Sequence, residues 1–112
     1  MTKILFVCSA NEERSPTAER IYENYPGRKV KSAGINEDAQ QPVTEELLQF
    51  ADIVLCMEQR HKQYIEKKYA EIISRKIIAS LDIPDFYPYM YPALVEKIKE
   101  KTESILFEYQ LK

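Results

Sequence analysis

The chain has 112 residues, of which 45% are hydrophobic and 30% charged, and its formal net charge is −2. These values predict one domain over residues 1–112, and they give no reason to expect nucleic acid or an anionic membrane surface as a partner. No apolar segment approaches the length of a membrane span, and two cysteines without a pairing pattern favour a reducing compartment, so we expect a cytoplasmic protein without membrane contact.

The first nineteen residues have the pattern of a buried strand, a short loop and a helix. The apolar run Ile4–Val7 delivers Cys8 at its carboxyl end, and Arg14 and Ser15 stand where the next helix begins. Pro16 suits a first helical position, because its missing N–H would have no partner there.

The loop between Cys8 and Arg14 has the length needed to surround one tetrahedral anion. Its five residues, Ser9, Ala10, Asn11, Glu12 and Glu13, let backbone N–H groups turn inward, next to the positive end of the following helix. These groups and Arg14 favour the thiolate of Cys8, the nucleophilic form of cysteine, and Ser15 is placed to donate to that sulfur. Arg14 suits bidentate contact with a phosphoryl group. The segment 8–14 is therefore a predicted phosphate site.

A free cysteine in a buried strand is usually a small core side chain. That interpretation does not account for Arg14 and Ser15 at fixed distances, and burying an arginine beside a strand end without an anion costs desolvation. We therefore favour the phosphate-site interpretation for Cys8.

The rest of the chain alternates strands with helices. The helix after Ser15 places Ala18, Ile21, Tyr22 and Tyr25 on one face and ends at Pro26, and Gly34 turns the chain after an edge strand. The later predicted elements are a loop over 35–41, a short helix after Pro42, a strand over 51–57, a helix over 59–72, a strand over 76–80, a proline-rich loop over 81–92 and a helix over 92–109.

Four strands alternating with four helices predict an α/β fold, a doubly wound four-stranded parallel sheet with helices on both faces. We expect the strand order 2-1-3-4, with the Cys8 loop at the carboxyl edge, where such sheets bind ligands. In the last helix we expect Leu94, Val95, Ile98, Ile105, Leu106 and Tyr109 to be buried.

The single histidine, His61, gives no pattern for a metal site, and we interpret it as structural. No metal and no cofactor are expected. A disulfide between Cys8 and Cys56 is conceivable under oxidation, but adjacent strands rarely offer the required geometry.

The segment Ile4–Glu19, ILFVCSANEERSPTAE, resembles the signature of the low-molecular-weight protein tyrosine phosphatases. The resemblance continues in order through Ser32–Gly34, Ala51–Met57 with His61 following, and Asp82–Asp85. The chain is shorter than usual for that family and is similar to a compact group predicted to be tyrosine phosphatases. The resemblance implies that family's fold and hydrolysis of phosphomonoesters through a cysteinyl-phosphate.

The resemblance also implies roles for the proline-rich loop. Asp85 matches the general acid of the family, with Phe86 where a proline is usual, and Asp82 is its rival, alternatively a turn residue. Phe86 and Tyr87 are candidates for contact with a substrate ring. The implied partner is a phosphorylated protein or a small phosphoester, with phosphate or sulfate expected in the pocket.

Glu12 and Glu13 put negative charge in a loop meant for dianions, so we expect both side chains to point outward and to favour basic peptides. Two other functions stay open. An arsenate reductase-like enzyme of the same fold needs further cysteines, and only Cys56 is available. The other alternative is a non-catalytic module that binds phosphate or phosphopeptides.

Overall fold

The structure, a computed structural model, describes all 112 residues of the chain. Its strands are β1 (Thr2–Cys8), β2 (Arg28–Gly34), β3 (Ile53–Cys56) and β4 (Ile77–Ser80). Its helices are α1 (Arg14–Tyr22), α2 (Glu45–Phe50), α3 (Gln59–Lys68), α4 (Ala70–Ile73) and α5 (Pro92–Glu108). None of these helices has the length and apolar character needed to cross a membrane.

The four strands form one parallel sheet in the order β2-β1-β3-β4, which confirms the predicted order. In the register of this sheet, Cys8 lies opposite Gly34, and Val7 lies opposite Cys56. The carboxyl ends of β1, β2 and β3 therefore meet at one edge, and the loops that follow them surround the same space.

Helices cover both faces of the sheet, as predicted, because alternate residues of each strand point to opposite sides. On one face Phe6 and Leu55 pack against α1 and α5, and on the other Leu5 and Val54 pack against α2, α3 and α4. Ile4 to Val7 and Ile53 to Met57 are all fully buried, so β1 and β3 form the centre of the core.

Two details differ from the prediction. The helix expected over 59–72 is two helices, because Tyr69 (φ −123, ψ 39) leaves helical geometry. In the second of them Ile73 is the buried residue. In α5 the buried positions are spaced by four residues and include Thr102. The predicted burial of Tyr109 is therefore wrong: its helix has ended and the residue is 44% exposed.

Candidate active site

In the loop between β1 and α1, carbonyl groups have hydrogen-bond partners in the protein and the backbone N–H groups do not. The carbonyls of Cys8, Ser9 and Ala10 accept hydrogen bonds at 3.0 to 3.1 Å from backbone N–H groups within the segment 35–40. The N–H groups of residues 9 to 13, by contrast, donate to no protein acceptor. Five unpartnered donors beside a helix N-terminus favour an anion.

Cys8 lies at the base of this loop, with 3% of its surface exposed. Its Sγ is 3.0 Å from Ser15 Oγ, the contact expected from the sequence. A cavity of about 160 Å³ opens above the sulfur, and its lining residues are Cys8, Ser9, Ala10, Glu12, Glu13, Arg14 and Asp85. The structure thus brings together most of the predicted phosphate-binding residues and the candidate acid.

Asn11 fixes the shape of the loop instead of lining the cavity. It has a positive φ of 56°, a conformation that asparagine adopts more readily than most residues. Its Nδ2 donates to Ser15 Oγ at 2.9 Å and to Ser32 Oγ at 3.0 Å. Since Ser15 Oγ receives this bond, its own proton is available to Cys8 Sγ or to the Ala33 carbonyl at 3.2 Å.

Arg14 is buried, with 2% exposure, and one of its nitrogens is fully engaged by the protein. Nη1 donates to Glu58 Oε2 at 2.5 Å and to the Ile83 carbonyl at 2.7 Å. Nε lies 3.8 Å from Asp85 Oδ1, and Nη2 donates to no protein group. The edge of the guanidinium that carries Nε and Nη2 is therefore free to bind two oxygens of a phosphoryl group.

The turn between β3 and α3 contacts the same loop. His61 accepts a hydrogen bond at Nδ1 from the Glu58 backbone, and its Nε2 lies 2.9 Å from Ser9 Oγ. Burial and the positive charges of Arg14 and Arg60 lower the pKa of His61 to about 4. The neutral ring therefore carries its proton on Nε2 and donates it to Ser9, which also accepts from Arg60 Nη2 at 2.8 Å.

The two candidate acids differ in their surroundings. Asp85 lines the cavity and has a side chain that is 59% exposed. Asp82 instead follows β4 with a positive φ of 54°, and its Oδ1 accepts from Ser80 Oγ at 2.7 Å and from Gln59. This geometry favours Asp85 as the candidate acid and a structural role for Asp82, whose carboxylate is bound by its neighbours.

The aromatic residues of the loop do not line the cavity. Phe86 is 80% exposed, and Tyr87 is half-buried and stacked on Tyr91 with ring centroids 6.0 Å apart. Their contact with a substrate ring stays a prediction. Glu12 and Glu13 lie at the mouth of the cavity, and no ion pair involves either carboxylate.

Sequence reasoning missed Glu58, Arg60 and Ser32 as parts of the site. Glu58 and Arg60 follow the carboxyl end of β3, the sheet edge where ligands bind, and this position was a usable signal. Nothing local to Ser32 indicates that its hydroxyl reaches a loop residue twenty-one positions away.

Comparison with known proteins adds two sequence similarities. Residues 3–47 match the family model described as low molecular weight phosphotyrosine protein phosphatase. A protein-arginine-phosphatase of Bacillus subtilis (strain 168) is 33% identical, over 59% of this chain and 62% of that protein. The match therefore spans less than two thirds of that relative's length.

Solved structures share the fold over nearly the whole chain. Vibrio vulnificus Wzb, solved in complex with benzylphosphonate, is 26% identical with a TM-score of 0.75, covering 96% of this chain and 98% of that one. The low molecular weight protein tyrosine phosphatase SP-PTP of Streptococcus pyogenes reaches a TM-score of 0.76 over 96% and 93% of the two chains. At 14% identity, the second similarity concerns the fold alone.

Proposed function

We propose that the chain belongs to the low molecular weight phosphotyrosine protein phosphatase family and that it hydrolyses phosphomonoesters of proteins, foremost phosphotyrosine. One observation carries the proposal. Cys8 lies at the base of a cavity that is also lined by Arg14, with its free edge, and by four loop residues whose backbone N–H groups are unpartnered, Ser9, Ala10, Glu12 and Glu13. This arrangement supports Cys8 as the nucleophile, the loop N–H groups as oxyanion donors and Arg14 as the cation.

The first step transfers the phosphoryl group to sulfur. The Cys8 thiolate attacks phosphorus in line, the loop N–H groups and Arg14 Nε and Nη2 bind the equatorial oxygens, and the bond to the leaving oxygen breaks. Asp85 donates its proton to that oxygen, so the alcohol leaves neutral. The exposure of Asp85 at the cavity mouth supports this role, since the acid must reach the outer side of the phosphoryl group.

The second step returns the enzyme to its starting state. Water attacks the phosphocysteine, Asp85 accepts a proton from that water, and inorganic phosphate leaves as the P–S bond breaks. The Ser15 hydroxyl, 3.0 Å from Sγ, donates to the thiolate that forms.

A second candidate substrate is phosphoarginine. The relative named a protein-arginine-phosphatase is one reason, and the presence of three acidic residues in the cavity lining, Glu12, Glu13 and Asp85, is another. A phosphorylated guanidinium keeps N–H donors next to phosphorus, and these suit a carboxylate rim better than a phenyl ring does.

The test uses the full chain and two variants. We expect turnover of para-nitrophenyl phosphate and of a phosphotyrosine peptide, loss of both with Cys8→Ser, and loss with Arg14→Ala. Inorganic phosphate should still bind the Cys8→Ser variant. Full activity of Cys8→Ser contradicts the proposal, and phosphate binding without any turnover by the wild type favours the non-catalytic module.

A phosphoarginine peptide of the same sequence separates the two substrates. A higher kcat/KM for phosphoarginine than for phosphotyrosine assigns the chain to the arginine-directed function. For location we propose the cytoplasm, since both cysteines are free and a reactive thiol is maintained in a reducing compartment.

A further inference from the structure

Glu58 is the residue on which the contacts at the cavity wall converge. Its carboxylate accepts hydrogen bonds from Arg14 Nη1 at 2.5 Å and from Arg60 Nε at 3.1 Å, and the residue stands at the N-cap position of α3. Its backbone N–H donates to His61 Nδ1. One residue outside the phosphate loop thus contacts the arginine of that loop and the histidine that holds Ser9.

The contact with Glu58 decides which edge of the guanidinium faces the cavity. The arginine side chain has four rotatable bonds, so holding its guanidinium in one orientation costs conformational entropy. With Nη1 bound between Glu58 and the Ile83 carbonyl, only Nε and Nη2 remain for a ligand. The arginine is therefore oriented for bidentate contact before any anion binds.

The same turn sets the other side of the loop. Arg60 Nη2 and His61 Nε2 both donate to Ser9 Oγ, at 2.8 Å and 2.9 Å, and Arg60 is itself bound by Glu58. We refer to Glu58, Arg60 and His61 as the β3–α3 clamp. It contacts the first residue of the loop and the arginine at its end, so it fixes both ends of the anion site.

We propose that Glu58 is a positioning residue for phosphoryl transfer: it acts through Arg14 by holding the guanidinium edge toward the cavity. This inference rests on the proposed function, because Arg14 is the phosphoryl-binding group there. Glu58 itself lies outside the cavity lining and contacts no reacting atom.

The test is a double-mutant cycle with para-nitrophenyl phosphate, measured with enzyme in excess so that slow variants give a rate. Glu58→Ala should lower kcat about 100-fold, since a misplaced binding group costs that order in rate. Lysine at position 14 cannot donate to Glu58 and to the phosphoryl group as arginine does. In the Arg14→Lys variant, adding Glu58→Ala should therefore lower kcat by less than about a further twofold. Glu66→Ala, a surface change on α3 whose only ion pair is with Lys62, is the matched control and should retain the wild-type rate.

Two further measurements separate positioning from stability. Glu58→Gln retains an acceptor for Arg14 and should recover part of kcat. It also replaces Glu58→Ala in the test if that variant fails to fold. The dissociation constant of inorganic phosphate should rise with Glu58→Ala in the wild-type background and stay unchanged in the Arg14→Lys background. Equal losses in both backgrounds, or a wild-type kcat for Glu58→Ala, overturn the inference.

The phosphate measurement also distinguishes this inference from the proposed function. If the wild type has no phosphatase activity, the proposed function fails, yet the coupling between Glu58 and Arg14 still appears in phosphate affinity. If the wild type is active and the coupling is absent, only the positioning role fails.

Discussion

Cys8 and Cys56 point to opposite faces of the sheet, although the partner of Cys56 across the β1–β3 ladder is Val7, the neighbour of Cys8. A disulfide needs Cβ atoms roughly 3.5–4.5 Å apart with converging side chains, which this arrangement forbids. Burial also raises the pKa of the Cys56 thiol, so little thiolate forms there. The geometry argues against an electron relay between these cysteines.

Oxidation should therefore leave no bond between the two cysteines. After treatment with diamide, mass spectrometry of the denatured protein under non-reducing conditions should show no Cys8–Cys56 peptide. Cys56→Ala should be inactivated by peroxide at the wild-type rate. A cross-linked peptide contradicts this prediction, and so does faster inactivation of Cys56→Ala than of the wild type by peroxide.

Asp85→Asn should lower kcat in a way that depends on the leaving group. A general acid contributes about 10²- to 10⁴-fold, and its loss matters most when the leaving oxygen is strongly basic. We expect a large loss with phenyl phosphate and a much smaller one with para-nitrophenyl phosphate, measured by phosphate release. Asp82→Asn is the matched control from the same loop, and a larger leaving-group effect in that variant would make Asp82 the acid.

The sequence was sufficient to predict those parts of the site whose residues are close together in the chain. Cys8, Arg14 and Ser15 lie within eight residues, so the end of the apolar strand and the start of the next helix place them together. The strand order followed from alternation of strands and helices. The contacts of Arg14 with Glu58 and Ile83 join residues forty-four and sixty-nine positions apart, and no periodicity reports the side-chain direction that makes them.

The break between α3 and α4 at Tyr69 could not be predicted from the sequence pattern either. The apolar spacing through Tyr64, Ile65, Tyr69 and Ile72 suits a continuous helix, and tertiary packing of Ile73 against the sheet decides otherwise.

Gly34→Ala should disrupt the phosphate loop, because β2 ends against it. A Cβ at this position would lie 2.4 Å from the Ser9 carbonyl oxygen and 2.9 Å from the Asn11 nitrogen, both backbone atoms. We expect about 1–3 kcal/mol of destabilisation and a large loss of activity per folded molecule, measured by urea unfolding and by para-nitrophenyl phosphate turnover.

Gly27→Ala is the control for this change. Gly27 has φ 79° and open space around it, so alanine costs backbone strain far from the cavity. It should destabilise by about 1–2 kcal/mol with activity per folded molecule retained. Equal activity of the two variants would contradict the packing argument.

His61 should make the protein less stable in acid. Its pKa is about 4 in the folded state and about 6.5 when unfolded, so between these values the unfolded chain binds one more proton. This contribution is complete above pH 6.5 and is lost as the pH falls toward 4, in total about 3 kcal/mol. The free energy of unfolding in urea, measured at several pH values, should fall less toward acid pH for His61→Asn than for the wild type. Because the chain has a single histidine, its titration can be followed by NMR. A His61 titration midpoint near 6.5 would contradict the burial argument.

Glu12 and Glu13 should select substrates by the charge that flanks the phosphorylated residue. Glu12 and Glu13 line the cavity and neither carboxylate has a cationic partner, so they repel a free dianion and attract a basic peptide. Neutralising them with the double variant Glu12→Gln/Glu13→Gln should lower kcat/KM for a peptide with flanking lysines and raise it for one with flanking glutamates, by about three- to tenfold in each direction at low salt. Glu37→Gln, on the exposed segment behind the loop, should change neither value.

Because attraction by Glu12 and Glu13 acts through charge, the preference for basic peptides should also weaken as ionic strength rises. A preference that persists unchanged in high salt would mean that shape, rather than these two carboxylates, selects the peptide.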